Sequence, residues 1–551
     1  MQPQKELLPY IAQSMRNNWE RPALADFGGD SFTYGQVAET IARLHLLFEQ
    51  AGLRRGDKIA FCGHNSARWA IGALAALTFG AVCVPILRDF KPESIRELVG
   101  HAESRLLFAD EGIWKSLSNR EIPHIEAVVS LADYSLYFSR HKKLDDAARR
   151  IDDLLAQRFP DGFAPDNIDY APEPSAEPAL INYTSGSTGH PKGVILTYGN
   201  LWSNIQYSID GLDFLRPGDG MVAMLPLAHM FGFTVEMLHP FVKGCYTRFI
   251  TRTPAPKIIL GAFAEVHPKL IVTVPLILEK IVTTKIFPLL ETPKMKLLLR
   301  LPIVKGKVLA TIRRRLIDTF GGAVQQIIVG GAGLNKDVET FLRRIKFPVT
   351  VGYGMTECGP LIAYAPWDQR RPGSCGRLVD RMELKVESPD PATIPGLLKV
   401  RGANVMKGYF HNPEATKDAI DPDGWMNTGD IVTVDPDGFI TIKGRDKSMI
   451  LGPSGQNIYP EEIEHRLNNL PYVAESLVVD REGRLVALIH PDLDAAQAAG
   501  LDADALKKLM TANLAKINDQ LPSYSKLRSV ELRDQEFEKT PKRSIKRFLY
   551  H

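Results

Sequence analysis

The order of apolar and polar positions divides the chain into alternating helix and strand patterns. Up to residue 115, Ser31-Phe32-Thr33-Tyr34 precedes an amphipathic stretch over 36–49, and Asp57-Lys58-Ile59-Ala60-Phe61 and Leu106-Leu107-Phe108 read as strands. Apolar residues three and four apart give a helix one inward face, and short apolar runs bounded by polar residues suit buried strands. Such alternation predicts a parallel sheet covered by helices. One run, 69–87, carries no charge and is long enough to cross a bilayer. Gly80 and Pro85 interrupt it and Val82-Cys83-Val84 has strand character, so a buried helix ending at Phe79 followed by a buried strand is the better reading. The 145–159 charge pattern is helical, and 160–178, rich in Pro, Asp and Glu, reads as a loop. Residues 395–443 read as short strands and turns, and the last hundred or so residues as a small α/β unit.

Candidate chemistry gathers where strands run into glycine. Ala179-Leu180-Ile181 empties into Tyr183-Thr184-Ser185-Gly186-Ser187-Thr188-Gly189-His190-Pro191-Lys192-Gly193, and Val194-Ile195-Leu196 then resumes a buried strand. Glycines let successive N–H groups turn toward one anion, hydroxyls add donors, and Lys192 adds a mobile positive charge. The common nucleotide loop requires Gly-Lys-Ser/Thr, whereas here Pro191 precedes the lysine. Ile327-Ile328-Val329-Gly330-Gly331-Ala332-Gly333 and Val349-Thr350-Val351-Gly352-Tyr353-Gly354-Met355-Thr356-Glu357 are two further strand ends of this kind. Ligands of open parallel sheets sit at the carboxyl ends of strands. There, Tyr353 offers a stacking face, Thr356 a hydroxyl, and Glu357 a hard oxygen ligand suited to magnesium.

The eleven-residue loop resembles the phosphate loop of the AMP-forming acyl-adenylate synthetases, the family of acyl-CoA ligases, firefly luciferase and peptide-synthetase adenylation domains. Six motifs follow in that family's order. The resemblance implies an α/β fold with a large N-terminal domain of stacked sheets and flanking helices (1–446), followed by a small mobile C-terminal α/β lid (447–551). It implies that Thr184, Ser185, Gly186, Ser187, Thr188, Gly189 and Lys192 hold phosphate. Gly331, Ala332, Tyr353 and Gly354 would then border adenine, Thr356 the α-phosphate, and Glu357 the metal. His229, in Leu225-Pro226-Leu227-Ala228-His229-Met230-Phe231-Gly232-Phe233, reads in isolation as a packed core residue; the resemblance sets it beside the reacting carboxylate. Phe231 and Phe233 would border the acyl channel, core aromatics being the equal alternative. Asp430, by itself a turn residue after Gly429, would hold the ribose hydroxyls, and Arg445 would reach ribose or phosphate. Lys447 falls at the hinge. The wording of 451–464 is closest to long-chain fatty acyl-CoA ligases. The family ends in Thr-Pro-x-x-Lys-x-x-Arg, whereas here Thr540-Pro541-Lys542-Arg543-Ser544-Ile545-Lys546-Arg547 puts Ser544 in the lysine's place if Arg547 matches the arginine. Lys542 or Lys546 would then have to supply the charge.

The expected reaction joins a carboxylic acid, a long-chain fatty acid by motif wording, to coenzyme A through acyl-AMP, with ATP and Mg2+. Two alternatives stay open: an acyl-AMP ligase loading a carrier protein, and a non-catalytic acyl- or nucleotide-binding protein. Bulk composition changes this picture little. At 551 residues more than one domain is expected, and a net charge of +3 does not argue for nucleic acid. Five scattered cysteines without metal spacing suit a reducing compartment, and the N-terminus lacks a signal-peptide core, so the expected location is cytoplasmic. A homodimer is left open. The exception is 280–315, where ten basic residues interleave with Leu, Ile and Val against the single acid Glu291. A solvated helical face is the favoured reading; peripheral contact with an anionic membrane, at its inner face, is the other.

Overall fold

Thr33 starts the first long helix, Tyr34–Gln50: its hydroxyl accepts from the Gln36 N–H while the Gln36 side chain accepts from the Thr33 N–H. This reciprocal cap satisfies two N–H groups that a helix start leaves unpaired. In the computed structural model the described residues are 6–117, 122–170, 174–184, 191–251, 255–451, 456–481, 483–540 and 545–550, with the side chains of Pro302, Ile303 and Tyr524 also left aside. The chain divides into two units. The first comprises 1–334, 338–383 and 401–424; the second 335–337, 384–400 and 425–551.

In the first unit, an eight-stranded sheet runs in the order Gly408–Tyr409, Lys192–Thr197, Pro178–Thr184, Val82–Pro85, Lys58–Cys62, Ser104–Ala109, Ala127–Ser130, Leu136–Ser139. Its centre is parallel, as the helix–strand alternation requires. Its flanks are not: Lys192–Thr197 returns antiparallel to Pro178–Thr184, Gly408–Tyr409 is antiparallel in turn, and Leu136–Ser139 reverses at the other edge. The parallel expectation therefore holds only where helices provide crossovers. A loop of seven residues between Thr184 and Lys192 is long enough for a hairpin but not for a crossover.

The uncharged run at 69–87 folds as the helix Ala67–Phe79, capped by Ser66 and ended by Gly80 in the left-handed conformation, and then the fully buried strand Val82–Pro85. No helix among the described residues is long and apolar enough to cross a membrane. A three-stranded parallel sheet, Leu270–Thr273, Gln326–Val329, Val349–Val351, lies over its own core cluster. The 145–159 pattern forms two helices, Lys142–Arg149 and Ile151–Arg158, because Arg150 leaves helical geometry (φ −113°, ψ 23°).

The second unit takes in most of a four-stranded sheet of Met382–Glu387, Gly396–Gly402, Met426–Val434 and Ile440–Arg445, all four strands of which lie before residue 447. It also contains a three-stranded sheet, Val473–Arg481, Arg484–Pro491, Ser529–Leu532. The helices Pro460–Leu467 and Ala503–Asn518 share that sheet's apolar core.

Candidate active site

Thr184 and Lys192 face each other as the last paired residues of their hairpin, so the loop between them opens at a strand carboxyl end. Ser185, Gly186, Ser187, Thr188 and Gly189 lie outside the described residues. Lys192 points its ammonium over the Tyr409 ring, 4.9 Å from the centroid. The Tyr409 hydroxyl donates to Glu357 Oε1 at 3.0 Å. One aromatic side chain thus joins the loop lysine to the carboxylate at the other strand end. Tyr409 gets there by pairing with Val194, one residue along from Gly193. The pairing needs Gly408: it sits at φ +147°, and a Cβ there would lie 2.8 Å from Thr416 Cγ2. Burial, and secondly the charge of Glu357, raise the Tyr409 phenol well above its usual range, so it stays a donor. Glu357 is itself buried, in a single 3₁₀ turn Thr356–Cys358, and its carbonyl accepts from the Met406 N–H at 2.8 Å.

The glycines around this turn are there for space. A Cβ on Gly354 would lie 2.1 Å from the Pro360 carbonyl oxygen, and one on Gly330 would lie 2.6 Å from the Phe231 ring. Gly331, at φ +85°, and Ala332 form an exposed ledge at the end of Gln326–Val329, and Tyr353 is buried close by in the chain. Phe231 is half-buried against Gly330, while Phe233 is fully buried, with its ring edge-on to Trp69, the packing of a core aromatic.

His229 is half-buried on a loop held from several sides. Asn65 accepts from the Leu227 N–H and donates to the Leu225 carbonyl, and Asn182 donates to the Ala228 carbonyl at 2.8 Å. The fully buried Glu236 accepts from the Leu225 N–H at 2.9 Å and the Met224 N–H at 3.3 Å. Burial raises its carboxyl pKa well above the ordinary value, and those two N–H groups pull the other way. Asn65, Asn182, Glu236 and Tyr409 were not among the residues singled out by the sequence. A lone acid inside Phe233-Thr234-Val235-Glu236-Met237-Leu238 is the one signal that could have found any of them.

In the second unit, Asp430 lies within the strand Met426–Val434, opposite Arg445, where isolated turn propensity suggested a turn. Gly429 takes φ +70°, a local irregularity that lets the strand continue past it. Arg445 Nε is 2.8 Å from Asp430 Oδ1, and the aspartate is only 3% exposed. Lys447 is exposed on a 3₁₀ turn, Asp446–Ser448. Arg547 grips Glu464 with both terminal nitrogens, at 2.8 and 2.6 Å. Lys546 is ion-paired with Glu538 at 2.5 Å; Lys542 and Ser544 lie outside the described residues.

The family model of the AMP-binding enzymes matches residues 11–410, and that of the AMP-binding enzyme C-terminal domain matches 447–550. The chain belongs to the AMP-binding enzyme family. Within this family, ATP-dependent acid–CoA ligation proceeds through an acyl-adenylate, and the fold is that of acyl-CoA synthetases, a large N-terminal and a small C-terminal domain. Long-chain-fatty-acid–CoA ligase FadD15 of Mycobacterium bovis is 29% identical over 498 residues, covering 84% of this chain and 78% of that protein. 4-Coumarate–CoA ligase 2 of Narcissus pseudonarcissus is 28% identical over 451 residues, covering 79% and 72%. Among solved structures, o-succinylbenzoate coenzyme A synthetase from Bacillus subtilis, in complex with ATP and magnesium ion, superposes with a TM-score of 0.75 at 20% identity, over 98% of each chain. The curated relatives, at 28–29% identity, are named as ligases of different acids, so they do not resolve this AMP-binding enzyme's acid.

Proposed function

We propose that this AMP-binding enzyme activates a long-chain fatty acid to its acyl-CoA thioester. The observation that carries the reading is the Lys192–Tyr409–Glu357 arrangement, an ammonium over the ring and a carboxylate on the hydroxyl of one phenol. A buried carboxylate oxygen already oriented by a donor fits a hard divalent cation, so Glu357 would hold Mg2+, which when bound offsets triphosphate charge. A carboxylate oxygen of the acid attacks the α-phosphorus of ATP, and the bond to pyrophosphate breaks. Thr184, Lys192 and Thr356 stabilise charge on the phosphates, so positioning and electrostatics carry the rate. His229, on its braced loop, orients the acid. In the second half-reaction the thiol sulfur of coenzyme A attacks the acyl carbon, loses its proton, and AMP leaves. Asp430 accepts the ribose hydroxyls, its geometry kept by Arg445.

The fatty acid assignment is supported by the wording of 451–464, by the match to the mycobacterial long-chain ligase, and by the half-buried Phe231 beside Gly330 as one wall of an acyl channel. The test is pyrophosphate release over a panel of carboxylates of increasing chain length and of 4-coumarate, with and without coenzyme A. Selective release with long-chain acids, and thioester formed with coenzyme A alone, is the expected result. Selectivity for an aromatic acid overturns the substrate. Acyl-AMP that accumulates without thioester favours carrier-protein loading.

A further inference from the structure

The basic stretch at 280–315 folds into short helices followed by the 18-residue helix Pro302–Thr319 in the first unit, and its surface is unusual in two independent ways. The helices Phe287–Glu291 and Pro293–Arg300 contain no fully buried residue, although Leu, Phe and Met make up half of their sequence. Leu297 is 62% exposed, Leu301 48% and Leu289 42%, and Leu276 on the preceding helix is 69% exposed. These are four of the largest exposed apolar side chains of the first unit. The cations surround them: Lys280, Lys285, Lys294, Lys296, Arg300 and Lys307 are all exposed. Lys294 and Leu297 are three apart on Pro293–Arg300, so cation and apolar side chains share one helix face, and the exposed Leu301 follows directly at the helix end. The stretch joins the core at its two ends, through Val282 and Ile286 before these helices and through Ile312 and Leu316 farther along Pro302–Thr319.

We propose that this face docks the enzyme on the surface of an anionic phospholipid bilayer, leucines in the acyl boundary and ammonium groups among the phosphates. Charge decides between occupants. A second copy would bring this strongly cationic surface against its like and be repelled. Nucleic acid would use the cations but gain nothing from protruding leucines. An anionic bilayer uses both, the pattern of an interfacial helix. Each cation near such a surface is worth about 1 kcal/mol, or about fivefold in partitioning. The patch also begins beside the proposed acyl channel: Leu276 follows the strand Leu270–Thr273, whose Thr273 carbonyl accepts the N–H of Gly330, the residue packed on Phe231.

The experiment is co-sedimentation of the full chain with phosphatidylcholine vesicles, with and without phosphatidylglycerol, at low and high salt. The wild type should bind the mixed vesicles, not the neutral ones, and lose binding with salt. Lys294→Glu/Arg300→Glu/Lys307→Glu should weaken it about 100-fold, and Leu297→Asp about tenfold, with unchanged melting temperature and unchanged pyrophosphate release on soluble acids, since all four positions are exposed and outside the site. Equal binding to both vesicle types, absence of binding, or variants that bind like wild type overturns the proposal. So does an assembly in solution that Leu297→Asp dissolves while vesicle binding persists, which would assign the face to a second copy.

Discussion

At the scale of single residues, the centre of the site is a phenol with two charged neighbours. Glu357→Gln and Lys192→Ala should each cut acyl-AMP formation by about 100- to 1000-fold, the usual loss for one well-placed charge partner in a transition state, without lowering the melting temperature. Pyrophosphate release equal to wild type in either variant would remove that residue from the chemistry. Tyr409→Phe acts through Glu357 rather than on substrate. Losing a hydrogen bond to a carboxylate costs about 1.5–3 kcal/mol, so the activity should fall roughly tenfold or more and the magnesium concentration needed for half-maximal rate should rise. A lower rate with unchanged magnesium dependence would make Tyr409 merely structural. The second residue-scale question concerns the C-terminal cations. Lys546 is held by Glu538 at 2.5 Å and Arg547 by Glu464, so neither is an uncommitted charge. The proposed rescue of the missing lysine then favours Lys542. Lys542→Ala should lose adenylation selectively while thioester transfer from supplied acyl-AMP persists, and Lys546→Ala should lose little. If both alanine variants adenylate normally and Ser544→Lys accelerates the step strongly, no rescue exists and the native protein is a slow adenylator.

Elements of secondary structure were legible where burial is local and continuous. Strands such as Lys58–Cys62, Ser104–Ala109 and Gln326–Val329 are apolar runs because both faces of a parallel sheet are covered, and their identity does not depend on distant partners. The same logic resolves 69–87 into helix and strand. What the sequence could not give is pairing across the chain. The strand Gly408–Tyr409 is two residues long and carries no periodicity; only its pairing with Lys192–Thr197, some two hundred residues earlier, brings Tyr409 to Glu357. Asn65 and Asn182 likewise look like ordinary loop and strand residues until the fold brings the His229 loop onto them. In isolation Asp430 reads as a turn residue because Gly429 is a turn signal, whereas in the sheet Gly429 falls in a bulge opposite Leu397–Lys399 and the strand runs on. Packing between elements has a measurable signature at His45, on Tyr34–Gln50, whose ring nitrogen lies 3.0 Å from the Ala75 carbonyl on the neighbouring helix. Burial lowers its pKa from 6.5 to about 4. Neutral imidazole is favoured in the fold, so this contribution is fully present above pH 6.5 and is lost as the pH falls toward 4. The urea midpoint should therefore drop across that window in the wild type and drop less in His45→Gln, whose amide can still donate to Ala75. Equal pH dependence in both proteins would mean that other groups carry the acid sensitivity.

For the whole molecule, the proposed reaction demands two chemistries from one set of strand ends: attack on phosphorus, then attack on carbon by a bulky thiol. A lid that moves between the half-reactions reconciles them, and the proposed pivot is Lys447. It is exposed, it lies on the short turn Asp446–Ser448, and the match to the C-terminal family model begins at that residue. A single turn between the strands Ile440–Arg445 and Ile450–Leu451 can change its backbone angles without breaking a sheet ladder. Proline fixes φ near −65° and removes an N–H. Lys447→Pro should therefore leave one orientation accessible and penalise the other. Adenylation, followed as pyrophosphate release with the acid and ATP alone, should stay within a few-fold of wild type. Thioester formation from pre-made acyl-AMP and coenzyme A should fall by about 100-fold, the scale of loss when a catalytic arrangement is not completed by its lid. Lys447→Ala separates backbone from side chain: it removes the charge but keeps the freedom to rotate, and should behave like wild type in both assays. Equal losses in the two half-reactions for Lys447→Pro would move the pivot elsewhere, and the next place to look is earlier in the chain, because the second unit already takes in 384–400 and 425–446.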